Sequence, residues 1–199
     1  MSGIRVTYSG LISFVISLTT IITGLFFTLI LTRELSVNEY GLWALIGTLT
    51  TYVYTIYPTI SYWTTREIAR GEESAKTAFN SIGLLSSVAV VVYLLISYYF
   101  SLNSEIDYFI LVFAALLIPS EFFNQILKAI NRGYKPQMEE YGVLIFEIIK
   151  VPIAFLTIYV MELGVVGIII AVFGANLASI IFLTIKTRKK LRGQFKKMA

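Results

Sequence analysis

Six long apolar runs, at about residues 10–32, 41–63, 79–100, 108–130, 140–161 and 164–186, occupy nearly all of this 199-residue chain. Run length decides the solvent. A helix crosses the hydrocarbon core of a bilayer with roughly 20 apolar residues, whereas a barrel strand needs only about 10 and alternates in polarity. These runs do not alternate, so the expected fold is an all-α integral membrane bundle of six transmembrane helices. Charged residues make up 14% of the chain, against about 25% in a soluble domain. The absence of cysteine and histidine removes thiol chemistry and the commonest metal ligand and general base. The loops are too short for a soluble active site, and they hold no paired aspartates, metal-ligand cluster or glycine-rich phosphate loop. The sequence therefore disfavours an enzyme and calls for neither cofactor nor metal. The first run is too long for a cleaved signal peptide and no small-residue cleavage site follows it, so a retained helix is expected.

Charge placement sets the expected topology. With the N-terminus in the cytoplasm, the inner side receives Arg5, then Arg66, Arg70 and Lys76, then Lys128, Arg132 and Lys135. The tail adds Lys186, Arg188, Lys189, Lys190, Arg192, Lys196 and Lys197, which brings the inner total to fourteen of the sixteen basic residues. Arg33 alone falls outside, beside the acidic Glu39, Glu105, Asp107 and Glu162, and Lys150 lies mid-helix. Basic residues near helix ends mark the cytoplasmic side, so both termini are expected inside. The net charge of +4 does not point to nucleic acid, because its carriers flank membrane segments. The basic tail at 187–199 reads as an anchor on an anionic leaflet or, alternatively, as a site for a specific lipid headgroup.

Short-range signals punctuate the runs. Ser36-Val-Asn-Glu39 fits a capping box that starts the second helix. Gly71 is placed to end a cytoplasmic extension running through Arg66 to Arg70, and Ser74 to cap the third helix. Gly133 and Pro136 are expected to break the chain between helices four and five. Pro58, Pro119 and Pro152 are expected bend points.

Polar residues inside the runs fall on helix faces. Helix four carries Glu121, Asn124, Gln125, Lys128, Asn131 and Arg132 on one face of its inner half. A carboxylate facing lipid at that depth costs at least ~2.5 kcal/mol, so this face must turn toward protein or water. Helix five carries Glu147 and Lys150. Folding helices four and five about residue 135 brings Glu121 and Lys150 to similar depth at about 1.5 Å per residue. The expectation is a Glu121–Lys150 approach, with Lys128 available to Glu147. Such groups either lock two helices or form the charged wall of a hydrated cavity. Thr48, Thr51, Thr55, Thr59 and Tyr62 stripe helix two, with Tyr52 beside them, and Ser13, Ser17, Thr20, Gly24 and Thr28 stripe helix one. Hydroxyl stripes serve either packing or a polar cavity. Gly164, Gly167, Ala171, Gly174, Ala175 and Ala178 give helix six a small-residue packing face. Asn80 and Asn176 are expected to bond between helices.

The stretch from Arg33 to Trp43 (RELSVNEYGLW) resembles the first outer loop of polysaccharide-export flippases, with their R-x-L-x-x-x-x-Y/F-G pattern. The segment from Gln125 to Lys135 (QILKAINRGYK), the run from Arg66 to Arg70 (REIAR) and Gly164 to Gly167 (GVVG) are similar to that family's helix ends in the same order. The family belongs to the multidrug, oligosaccharidyl-lipid and polysaccharide exporter superfamily. The resemblance implies an N-terminal six-helix lobe of a two-lobe flippase around a central cavity. It implies transport of lipid-linked oligosaccharide across the cell membrane by alternating access, with basic cavity residues meeting the diphosphate. Arg33 is the position that best matches the family motif. Family members have twelve to fourteen helices, so one lobe here implies a partner: a second copy, another half-size chain or a missing C-terminal half.

The residues proposed to line a substrate cavity are Arg33, Thr51, Thr55, Glu121, Asn124, Gln125, Lys128, Glu147 and Lys150. Expected partners are membrane lipid, lipid-linked oligosaccharide and a second lobe, with no nucleic acid. Two other functions compete. A multidrug-type antiporter would use Glu121 and Glu147 as proton- or cation-linked carboxylates. A non-transporting membrane scaffold from a truncated gene would need none of these charges.

Overall fold

The computed structural model describes residues 6–104 and 106–191. The regular structure among them is helical: α1 (Val6–Glu34), α2 (Val37–Tyr54), α3 (Tyr57–Ala69), α4 (Ala75–Asn103), α5 (Tyr108–Ala114), α6 (Leu117–Tyr134), α7 (Pro136–Ala154), a π-helical segment (Phe155–Val160) and α8 (Gly164–Leu191). Five helical stretches are long and apolar enough to cross a membrane: Gly10–Glu34, Ala75–Asn103, Tyr108–Tyr134, Pro136–Val160 and Gly164–Arg188. A membrane-embedded helical bundle follows from them. The second expected run, 41–63, does not form one helix; it divides at Thr55 and Ile56 into α2 and α3. Part of the expected tail, Thr187 to Leu191, continues α8. Arg5, Glu105 and residues 192–199 lie outside the described residues.

The prolines explain the interruptions. A proline ring crowds the carbonyl four residues earlier and brings no N–H, so the turn before it opens. Pro58 and Pro119 each stand just downstream of a break, between α2 and α3 and between α5 and α6. Around the second break the backbone tightens, with Ala115 N–H donating to Val112, Leu116 to Phe113 and Ile118 to Ala115. The two breaks meet. The Tyr54 hydroxyl, from the end of α2, donates to the Leu117 carbonyl at 3.3 Å, and around the junction Tyr57 packs edge to face with Tyr54 and Phe122, whose own two rings are tilted. Pro152 leaves α7 unbroken, and the chain widens into the π segment just beyond it.

The helix ends follow their local chemistry. At α2 the capping box is complete: Glu39 N–H donates to the Ser36 hydroxyl at 3.3 Å, and Ser36 N–H to the Glu39 carboxylate at 2.9 Å. The other oxygen of Glu39 lies where a side chain on Gly164 would begin, and Gly164 has φ +53°. Two constraints thus require glycine where α8 starts. Gly71, at φ +88°, ends α3 as expected. Ser74 does precede α4, but its hydroxyl makes no capping bond. Gly133 does not break the chain: α6 runs through it to Tyr134, and α7 begins at Pro136 after a turn at Lys135. Its missing side chain instead admits α3, since a Cβ there would sit 2.8 Å from the Thr65 carbonyl oxygen.

α6 and α8 form the centre. Ile118, Ile126, Leu127, Ile130, Ile169 and Leu183 are fully enclosed in one core, together with Tyr93 of α4 and Phe122. A smaller cluster of Leu31, Ala154, Ile158, Ile168 and Ala171 joins α1, the π segment and α8. The small-residue face of α8 packs as expected: Ala171 and Ala175 are fully buried, and Gly167 lets the Thr157 carbonyl approach to 3.0 Å of its Cβ position. α1 is peripheral. It packs on α7 and the π segment and leaves Leu11, Phe14, Leu18, Ile21 and Leu25 exposed, as suits a face toward lipid.

Candidate functional site

Two polar assemblies lie within the apolar bundle. The first is built on α7, where spacing of three residues puts Glu147 and Lys150 on one face. Their charged ends meet at 2.8 Å, with only 6% of Glu147 and 9% of Lys150 exposed. The Thr23 hydroxyl of α1 donates to the same carboxylate oxygen at 2.6 Å. The ammonium also sits 5.1 Å from the Phe27 ring centre and 5.0 Å from that of Phe146. Carboxylate, hydroxyl and two aromatic faces together replace the water that this cation would hold elsewhere. Ten residues before Thr23 on α1, the Ser13 hydroxyl donates to Glu140 of α7 at 2.8 Å. α1 is therefore clasped to α7 at two points, each a hydroxyl on a carboxylate.

The second assembly joins α6 to α8. The Asn124 amide donates to Asn176 at 2.7 Å, and the Asn176 amide lies 3.3 Å from one oxygen of Glu121 and 3.4 Å from the Ser120 hydroxyl. The other Glu121 oxygen accepts from Gln125 at 2.6 Å. The Ser179 hydroxyl stands 3.0 Å from Asn124 Oδ1 and 2.9 Å from the Gly142 carbonyl, with one proton to give. Farther along, Asn131 donates to Thr187 at 2.7 Å. Asn124, Asn131, Asn176 and Ser179 are all buried, so this seam holds the centre of the bundle together by hydrogen bonds.

Several expectations change. Glu121 and Lys150 form no ion pair: Lys150 is taken by Glu147 on its own helix, and the bonds of Glu121 go to α6 and α8. Depth about residue 135 is not sufficient to pair them: the azimuth of α6 aims Glu121 at α8. Lys128 does not pair with Glu147, and among the described residues neither Lys128 nor Glu121 is in an ion pair. Arg132 instead closes the α6–α7 turn, donating through Nε to Glu139 at 2.7 Å and through a second nitrogen to the other carboxylate oxygen. Thr51 and Thr55 are exposed on α2, and their hydroxyls return to their own helix, at 2.7 Å to Gly47 and 2.8 Å to Tyr52. Arg33 is exposed beside a shallow groove of about 300 Å³ between α1 and the π segment, away from both assemblies.

Of the expected α1 stripe, Ser17 and Thr28 face outward. The inward face runs Ser13, Ile16, Thr20, Thr23, Phe27 and Leu31, a spacing of three and four that was readable but was rotated from the hydroxyl row. Asn176 bonds between helices as expected, while Asn80 is exposed. Ser120, Ser179 and Thr187 carried no separate sequence signal, because a lone hydroxyl in an apolar helix ordinarily bonds to its own backbone. Comparison of the chain with protein-family models, with curated proteins and with solved structures finds no match.

The ion pair makes a sharp energetic prediction. Lys150→Met strands the Glu147 carboxylate, and should destabilise the folded protein by about 3 kcal/mol. The double change Glu147→Gln with Lys150→Met removes both charges and should recover most of that loss. Unfolding titrations in mixed micelles will separate the two variants. Equal losses in both would show that the pair carries no such coupling.

Proposed function

We propose that this chain is one lobe of a membrane transporter that flips lipid-linked oligosaccharide across the cell membrane by alternating access. The observation that carries the reading is the α6 row. Glu121, Gln125 and Lys128 are half-buried in a membrane-length span, and among the described residues neither charged member is in an ion pair. Ionisable groups inside a membrane span face protein or a water-filled cavity, because lipid offers them no partner. A second lobe, from another copy or a separate half, would enclose that row with water and substrate. The order of motifs shared with polysaccharide-export flippases supports the same reading, and the proline breaks supply bend points for alternating access.

In this arrangement α2 and α3 together form a sixth, bent crossing, and both termini lie in the cytoplasm. The chain lacks cysteine, so an introduced cysteine is a unique label. Cysteines at Val37 and at Glu73 should react with an impermeant maleimide from opposite sides of the membrane, Glu73 from the cytoplasm. Labelling of both from one side would remove the sixth crossing.

The transport claim itself is tested by complementation. In a strain lacking its oligosaccharide flippase, the chain expressed with a second lobe should restore surface glycan, and Lys128→Met should lower the restored amount by about tenfold, the effect of ~1.4 kcal/mol. Glycan restored equally by wild type and by variants at Glu121 and Lys128 would contradict the role of the row. Restored resistance to cationic drugs without restored glycan would instead favour the antiporter, for which Glu121, in no ion pair among the described residues, would serve as the coupling group.

A further inference from the structure

The bundle carries two end grooves of opposite sign. One, of about 520 Å³, lies between the start of α2 and the α4–α5 connection and contains Glu39 and Asp107. The other, of about 660 Å³, lies between α3 and α6 and contains Arg66 and Arg132 with no carboxylate among its lining residues. The second groove is built rather than incidental. Its floor is fixed where the Thr65 hydroxyl of α3 donates to the Ala129 carbonyl of α6 at 3.1 Å, next to the close approach at Gly133. Arg66 is exposed and makes no ion pair among the described residues. Arg132 keeps its Glu139 partner, yet its side chain is 54% exposed and retains N–H groups not used by that carboxylate. Gln125 lines the groove too and bonds to Glu121, so the groove adjoins the polar row of α6.

We propose that this α3–α6 groove binds a phosphate-bearing headgroup. Guanidinium groups match phosphate oxygens with paired N–H donors, and Arg66 is free to make such a pair. The exposed Tyr62 ring offers an apolar edge for the group that the phosphate bears. Basic pockets between helices near the membrane surface are suited to anionic headgroups. The proposal deepens the transporter reading, on which it rests for its purpose: the groove is where an anionic lipid-linked substrate is first held. The binding chemistry is shared by a diphosphate and by an ordinary anionic lipid, and the two sources can be told apart.

The test uses the full chain in phosphatidylcholine nanodiscs, titrated with inorganic pyrophosphate, and the same chain in nanodiscs containing phosphatidic acid, with retained lipid counted by native mass spectrometry. Arg66→Gln should weaken binding of at least one probe about tenfold, the loss of one charge-assisted contact, while Arg66→Lys retains part of it. Because Arg66 is exposed and in no ion pair among the described residues, the variant should melt as wild type does, which separates lost binding from lost structure. Binding of pyrophosphate that is sensitive to Arg66 identifies the phosphate group itself as sufficient. Sensitivity seen only with phosphatidic acid identifies a headgroup delivered from the bilayer. Absence of binding to either probe, or binding unchanged in Arg66→Gln, overturns the proposal. Such a result leaves complementation untouched, and failed complementation with Arg66-dependent binding overturns the transport reading alone.

Discussion

Hydrocarbon offers no hydrogen-bond partner, so every charged or amide-bearing side chain in a spanning helix must be satisfied by another side chain, by its own backbone or by enclosed water. The polar architecture of this chain follows from that requirement. Glu147 and Lys150 neutralise each other on α7, and Thr23 completes the carboxylate from α1. Asn124 donates to Asn176 across the α6–α8 contact, and the Asn176 amide turns to Glu121 and Ser120. Hydroxyls of α2 turn back on their own turn of helix. Where apolar contacts alone give helices little reason to prefer one another over lipid, these bonds specify which faces meet.

The same requirement separates finished from unfinished parts of the molecule. The α7 pair is closed on itself, and the buried amides of the α6–α8 seam reach outward through Glu121. The α6 row of Glu121, Gln125 and Lys128 is only half enclosed, and it runs toward the groove that holds Arg66 and Arg132. On the proposed transporter reading, a second lobe and the solvent between the two would complete that open row.

Much of the fold was legible because length, capping and proline placement are local properties. The apolar runs, the Ser36–Glu39 box, the end of α3 at Gly71 and the bends near Pro58 and Pro119 all follow from a few neighbouring residues. The pairings of charged groups were less accessible. Fold-back depth alone does not choose between Lys150 and other partners for Glu121; the azimuth of α6 does, and that azimuth is set by its packing on α3 and α8. A competing carboxylate three residues away on the same helix then takes the lysine. Gly133 illustrates the same limit: a glycine three residues before a proline resembles a break, whereas its role is to let α3 touch α6, which depends on residues far away in the chain.

The most direct test of the central claim asks whether water reaches the open polar surface of the assembled protein in its membrane. Maleimides react with the ionised thiol, which lipid suppresses. With unique cysteines in cells, Gln125→Cys and Thr55→Cys should react with a small water-soluble maleimide, while Leu84→Cys and Leu95→Cys, on the exposed apolar face of α4, stay protected. Protection of Gln125→Cys and Thr55→Cys to the same degree as Leu95→Cys would mean that these positions face lipid, and would contradict a shared hydrated cavity.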